Sequence, residues 1–148
     1  MAALPDVITV RHCGRRFAVI HGGVNDVARF LWPVSLEQCF AEEVTALQNL
    51  IGPIDGVISG HCGMAFARDV AGVAWINAGV IGMPPHDGRP QTRYALLSDQ
   101  GVVFERLSYD VEGAINAMQA AQLAEPYARA LGTGLWPSED ILPPELRR

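Results

Sequence analysis

Residues 56–63 read Gly-Val-Ile-Ser-Gly-His-Cys-Gly, a short β-rich run that stops at a glycine and hands over a histidine, His61. Residues 17–23, Phe-Ala-Val-Ile-His-Gly-Gly, repeat the arrangement, with His21 following an apolar run and preceding Gly22 and Gly23. A histidine at the end of a buried strand carries its imidazole beyond the sheet edge, and small neighbours let backbone or ligand approach it closely. That is the setting a metal ligand needs. Each histidine alone is better explained as a side chain hydrogen-bonded at a loop start. Two in equivalent settings argue for a shared role.

Working outward, Val7–Val10 and Phe17–Ile20 flank a turn containing Gly14, which predicts an antiparallel hairpin. Ser35 followed three residues later by Gln38 has the form of a capping box, and Leu36, Cys39, Phe40, Val44, Leu47 and Leu50 recur at helical spacing, ended by Gly52-Pro53. After the 56–59 strand come two further hairpins, Phe66–Val70 with Val73–Asn77, turned at Ala71-Gly72, and Thr92–Leu97 with Val102–Leu107. Between them lies a loop rich in glycine and proline, residues 77–90. Asp110 is placed to cap a helix bearing Val111, Ala114, Ile115 and Met118, and Pro126 to start a third. The order of elements predicts an α/β fold of α+β character, a mixed sheet with helices outside it. Residues 1–134 form the expected domain, and the Pro-rich stretch 135–148 an irregular tail packed on the body or on a neighbour.

Size and charge narrow the function. The chain has 148 residues, 49% hydrophobic and 18% charged, enough for one buried core. A net charge of -5 and the lack of a basic cluster beyond Arg11, Arg15 and Arg16 argue against a nucleic-acid partner. No run approaches the roughly 18 apolar residues of a membrane span, and no basic-plus-apolar leader opens the sequence, so the expectation is a cytoplasmic protein without a membrane partner. Cys13, Cys39 and Cys62 are odd in number and widely spaced, as reduced thiols are.

Other residues carry weaker signals. Cys62, between His61 and Gly63, has no activating base in the neighbouring sequence, and a packing role suits it better than that of nucleophile or ligand. Asn77 ends a strand before Ala78-Gly79, where it either caps the loop or supports a liganding imidazole. His12 and His86 follow no buried strand, which assigns them surface or turn roles. Met64, Phe66, Trp75 and Ile76 read as core. Phosphate-loop, nucleophile-elbow and HExxH motifs are absent.

Taken together, "FAVIHGG", "DGVISGHCG" and "WINAGVIGMPPHDG", in that order, resemble the C-terminal half of the calcineurin-like metallophosphoesterases, over about residues 5–110. The resemblance implies that His21 is the histidine of the family's HG motif and His61 the first histidine of its GHxH motif, both on one of two metal positions. Gly63 stands where the second GHxH histidine would be, and Gly22, Gly60, Cys62 and Asn77 fall in the surrounding loops. The D-x-H, G-D and G-N-H-[DE] motifs, which hold the bridging aspartate, other ligands and the acid, do not occur. The implied activity is hydrolysis of a phosphate ester by metal-activated water, with manganese, iron, zinc or nickel as the ion. Two neutral imidazoles neither compensate the charge of a dinuclear centre nor provide a general acid. The resemblance therefore implies either a chain completed by a separate N-terminal half or a non-catalytic module acting as a homo-oligomer or bound to a partner. It also implies half of a two-sheet sandwich, whose apolar sheet face needs cover.

Overall fold

The computed structural model describes residues 4–148. Residues 1–3 of the expected domain lie outside the described residues. Strands β1 (Ile8–His12), β2 (Arg15–Val19), β3 (Gly56–Ser59), β4 (Ala65–Val70) and β5 (Val73–Ala78) form one sheet in the order β1-β2-β3-β5-β4. The three central strands β2, β3 and β5 run parallel, and β1 and β4 close the edges antiparallel through tight hairpins. The turn between β4 and β5 places Ala71 at φ 51° and Gly72 at φ 83°, the twist that suits a two-residue hairpin loop. Strands β6 (Thr92–Ser98) and β7 (Gly101–Leu107) make a separate two-stranded sheet that contacts β4 and β5. This is the mixed α/β architecture that the order of elements predicts.

Helix α1 (Glu37–Ile51) connects β2 to β3 and supplies the core of one sheet face. Residues paired across strands share a face, so Thr9, Ala18, Val57, Trp75 and Arg68 form one row. Ala18, Val57 and Trp75 are fully buried in one cluster with Phe40, Val44 and Leu47 of the helix, and Arg68 lies over the Phe40 ring at 4.6 Å. The apolar stripe read from the sequence is narrower than expected: Leu36 and Leu50 face solvent. The helix start also differs from a capping box. The Ser35 hydroxyl accepts the Trp32 N–H at 2.9 Å, tightening the preceding turn, and no side chain caps the helix.

The opposite face carries Ile8, Val19, Ile58, Ile76 and Ala67 in a second row. Only Ile76 is buried; Ile8 is 51% exposed, and Val10 in the neighbouring row is exposed too. Phe17, paired with Val10, is 1% exposed, so this face is apolar and is left uncovered mainly along its β1 edge.

Helices α2 (Val111–Ala120) and α3 (Glu125–Thr133) pack on each other. Asp110 caps α2 as expected, accepting the Gly113 N–H at 2.8 Å, and Pro126 sits in the first turn of α3. The segment after α3 is irregular apart from one 3-10 turn at Pro144–Leu146, and it packs on the body: Leu142 is buried in the main core, with Trp136 and Leu146 against it. His86 pins this segment. Far from being a surface residue, it is 3% exposed; its Nδ1 accepts the Trp136 backbone N–H at 2.8 Å, which leaves Nε2 as the protonated nitrogen facing Glu139 Oε1 at 2.8 Å. Sequence spacing gave no sign of this because its partners lie fifty positions away. Among the described residues no helix is long and apolar enough to cross a membrane.

Candidate metal centre

Parallel strands all point their carboxyl ends the same way, and in open α/β sheets that edge is where ligands bind. His21 follows β2 by two residues, His61 follows β3 by two, and Asn77 lies in the last turn of β5. The edge therefore brings the three together. His61 Nδ1 and His21 Nε2 approach to 3.0 Å, with ring centroids 4.9 Å apart and the planes at 67°. The Gly60 N–H donates to the His21 carbonyl at 2.8 Å, tying one loop to the other.

Each loop is held by identifiable groups. A Cβ on Gly22 would meet the carbonyl oxygens of Val27 at 2.5 Å and Arg29 at 2.8 Å, so only glycine lets the chain fold back beside His21. That returning loop is anchored by Glu43 of α1, which is buried and accepts from the Val24 N–H and from Arg29 Nη1, both at 2.6 Å. Glu43 is a residue the sequence reading missed, although an acid flanked by Phe40 and Val44 on the apolar stripe is a visible anomaly. His61 adopts φ 60°, a left-handed conformation uncommon outside glycine and the small polar residues. Asn77 fixes it there: its Nδ2 donates to the Gly60 carbonyl at 2.6 Å, and its Oδ1 accepts the Gly79 N–H at 2.9 Å. Asn77 thus caps its own loop and braces that of His61 without touching either imidazole. A Cβ on Gly60 would meet only the His21 carbonyl oxygen, at an ordinary 3.7 Å, so its part is played by its peptide groups.

Cys62 is buried, and burial pushes its thiol up to about 11. Its surroundings are those of a packed side chain, and its Sγ lies 3.2 Å from Asn77 Nδ2. A thiol raised in the fold stabilises below the unfolded value of 9.0 and ceases to do so as pH climbs toward 11. We expect a loss of about 2–3 kcal/mol over that window, read by denaturant melts at stepped pH and absent in Cys62→Ala. A maleimide at pH 7 should label exposed Cys13 and spare Cys62.

Aromatic rings surround the pair. Phe30 packs on His61 at 4.3 Å and stacks on Trp32 at 5.0 Å, and Trp32 in turn meets Trp136 at 6.3 Å. A Cβ at Gly63 would lie 3.1 Å from the Trp136 ring, so the indole takes the space a side chain there would need.

The fit to a cation is partial. The 3.0 Å contact is itself a hydrogen bond between the two rings; two nitrogens sharing one zinc at about 2.0–2.1 Å lie roughly 3.0–3.4 Å apart, so the spacing suits a shared ion once that proton is given up. Against this, His61 Nε2 is buried without a hydrogen-bond partner, where a liganding histidine ordinarily donates to a carbonyl or carboxylate. Among the described residues, no group of three or more His, Cys, Asp or Glu side chains comes together. Among the described residues the imidazole pair stands without a third donor.

No family model matches the chain, and no curated protein does. Among solved structures the chain is similar to a hypothetical protein from Pyrococcus horikoshii, at a TM-score of 0.75 and 14% identity over 90% of this chain and 52% of that one. It is also similar to a metallophosphoesterase from Sphaerobacter thermophilus, at a TM-score of 0.68 and 20% identity over 90% of this chain and 59% of that one. At such identities the likeness is one of fold, and the fold is metallophosphoesterase-like. The chain spans between half and three-fifths of the length of these structures.

Proposed function

We propose that this chain carries one half of a metal-dependent phosphoesterase site, with His21 and His61 as the imidazole corner for a single divalent ion. The observation that supports it most is the 3.0 Å approach of the two nitrogens at the carboxyl edge of the parallel strands, on a fold shared with a metallophosphoesterase. When bound, such an ion supplies Lewis acidity toward a phosphoryl oxygen. The chain's own part is to hold two donors in register: Glu43 and Gly22 shape the loop bearing His21, and Asn77 braces the loop bearing His61. The carboxylates and the general acid come from a complementing chain in this reading.

Zinc, manganese or nickel titrated into the lone chain should bind weakly, and His61→Ala or His21→Ala should lower the affinity at least about tenfold. Hydrolysis of an aryl phosphate should be absent for the lone chain and appear on adding a chain that carries the D-x-H, G-D and G-N-H-[DE] motifs. Turnover by the lone chain, lost in His61→Ala, would overturn the half-site.

A second reading, a non-catalytic homo-oligomeric or partner-binding module, is favoured by exposed Ile8 and Val10 on the β1 edge and by Trp136 standing over Gly63. Sedimentation of the lone chain separates the two. A stable dimer with no metal uptake supports the module; a monomer that takes up zinc supports the half-site.

A further inference from the structure

Beside His61 lies a cavity of about 350 Å³, walled by Phe30, Val80, Met83, Tyr127, Trp136 and Ile141. That size suits a small molecule and is too small for a helix or strand. The walls come from the loops after β2 and β5, from α3 and from the segment beyond it, so several distant parts of the chain converge on one hollow. No Lys, Arg, Asp or Glu lines it. A charged group has no partner inside and stays out, whereas an aromatic ring or short alkyl chain loses water contact without leaving a polar atom unpaired. The one lining residue that belongs to the imidazole pair is His61.

We infer that this cavity receives the apolar alcohol portion of a phosphate ester whose phosphate sits at the His21/His61 corner. The inference rests on the phosphoesterase reading and sharpens it to esters of aryl or short-chain alkyl alcohols. Esters of sugars or of phosphoserine-like side chains would bring hydroxyl or amide groups to walls that offer them almost no partners. Phe30 has a double part, forming one wall and packing on the His61 ring at 4.3 Å, so that filling the cavity and ordering the imidazole are coupled.

The test compares 1-naphthyl phosphate, methyl phosphate and 1-naphthol, titrated into the zinc-supplemented chain and followed by the NMR methyl signals of Val80, Met83 and Ile141. Naphthyl phosphate should bind at least tenfold tighter than methyl phosphate. Ile141→Asp, at the exposed rim, should erase that advantage while leaving methyl phosphate binding unchanged; Tyr127→Ser at the same rim replaces it if the first variant unfolds. Equal affinity for the two phosphates overturns the cavity assignment and leaves the phosphoesterase reading standing. Naphthol binding as tightly as naphthyl phosphate overturns the ester assignment, because the hollow then serves an apolar ligand unrelated to phosphate. Absence of binding by all three overturns both, and displacement of naphthyl phosphate by self-association would assign the hollow to a second copy instead.

Discussion

Replacing Glu43 by alanine is expected to lower stability by about 2–4 kcal/mol and to release the loop that carries His21. Its carboxylate is the only described acceptor for the Val24 N–H, and it pairs with Arg29, whose guanidinium also reaches Glu42 at 2.9 Å. Removing one member of a buried ion pair costs about 3–5 kcal/mol when the survivor is stranded. Here Arg29 is a third exposed and keeps Glu42, which lowers the figure. The deleted side chain leaves the Val24 N–H without its partner, and the loop loses its tie to α1. Chemical denaturation measures the stability. Zinc titration of the folded fraction should show a further loss of affinity, since the loop following His21 then loses its tie to α1. Unchanged zinc affinity in a folded Glu43→Ala protein would mean that the loop needs no anchor.

Trp75→Ala should be as damaging, at about 3–5 kcal/mol, because Trp75 is fully buried at the centre of the sheet and meets Phe40 edge-on at 5.2 Å. The contrast with Trp75→Phe is the sharper test. Trp75 Nε1 is buried without a hydrogen-bond partner, a burden of about 1–3 kcal/mol that phenylalanine does not carry. The smaller ring gives up some packing and removes the orphan donor, so the net change should stay within about 1 kcal/mol. Thermal or denaturant melts of both variants decide it. A Phe variant as unstable as the Ala variant would show that the indole N–H has a partner after all.

The sheet was legible because its signals are local. Two-residue turns such as Ala71-Gly72, and runs such as Val57-Ile58 bounded by glycine, announce strands within a few residues of themselves. The meeting of His21 and His61 was anticipated from their equivalent strand-end settings and from the family resemblance, while the parallel pairing of β2 with β3 that ends them side by side was not read. The unread features depend on distant partners. Glu43 looks like a misplaced acid until the Val24 N–H arrives from another segment, and His86 looks like a turn residue until Trp136 and Glu139 close over it. The start of α1 was misread because a serine three residues before a glutamine satisfies a pattern whose hydrogen bonds Ser35 spends on the preceding turn.

The parallel pairing of β2 with β3 also sets the order in which the molecule is assembled. The hairpins β1-β2, β4-β5 and β6-β7 are local and zip within about 1–10 μs, whereas joining β2 to β3 must wait for closure of the chain around α1. His21 and His61, forty positions apart, come into contact only through that late, non-local event. Their approach therefore reports a non-local step, and a probe placed on either ring should relax later than a probe in the β1-β2 hairpin.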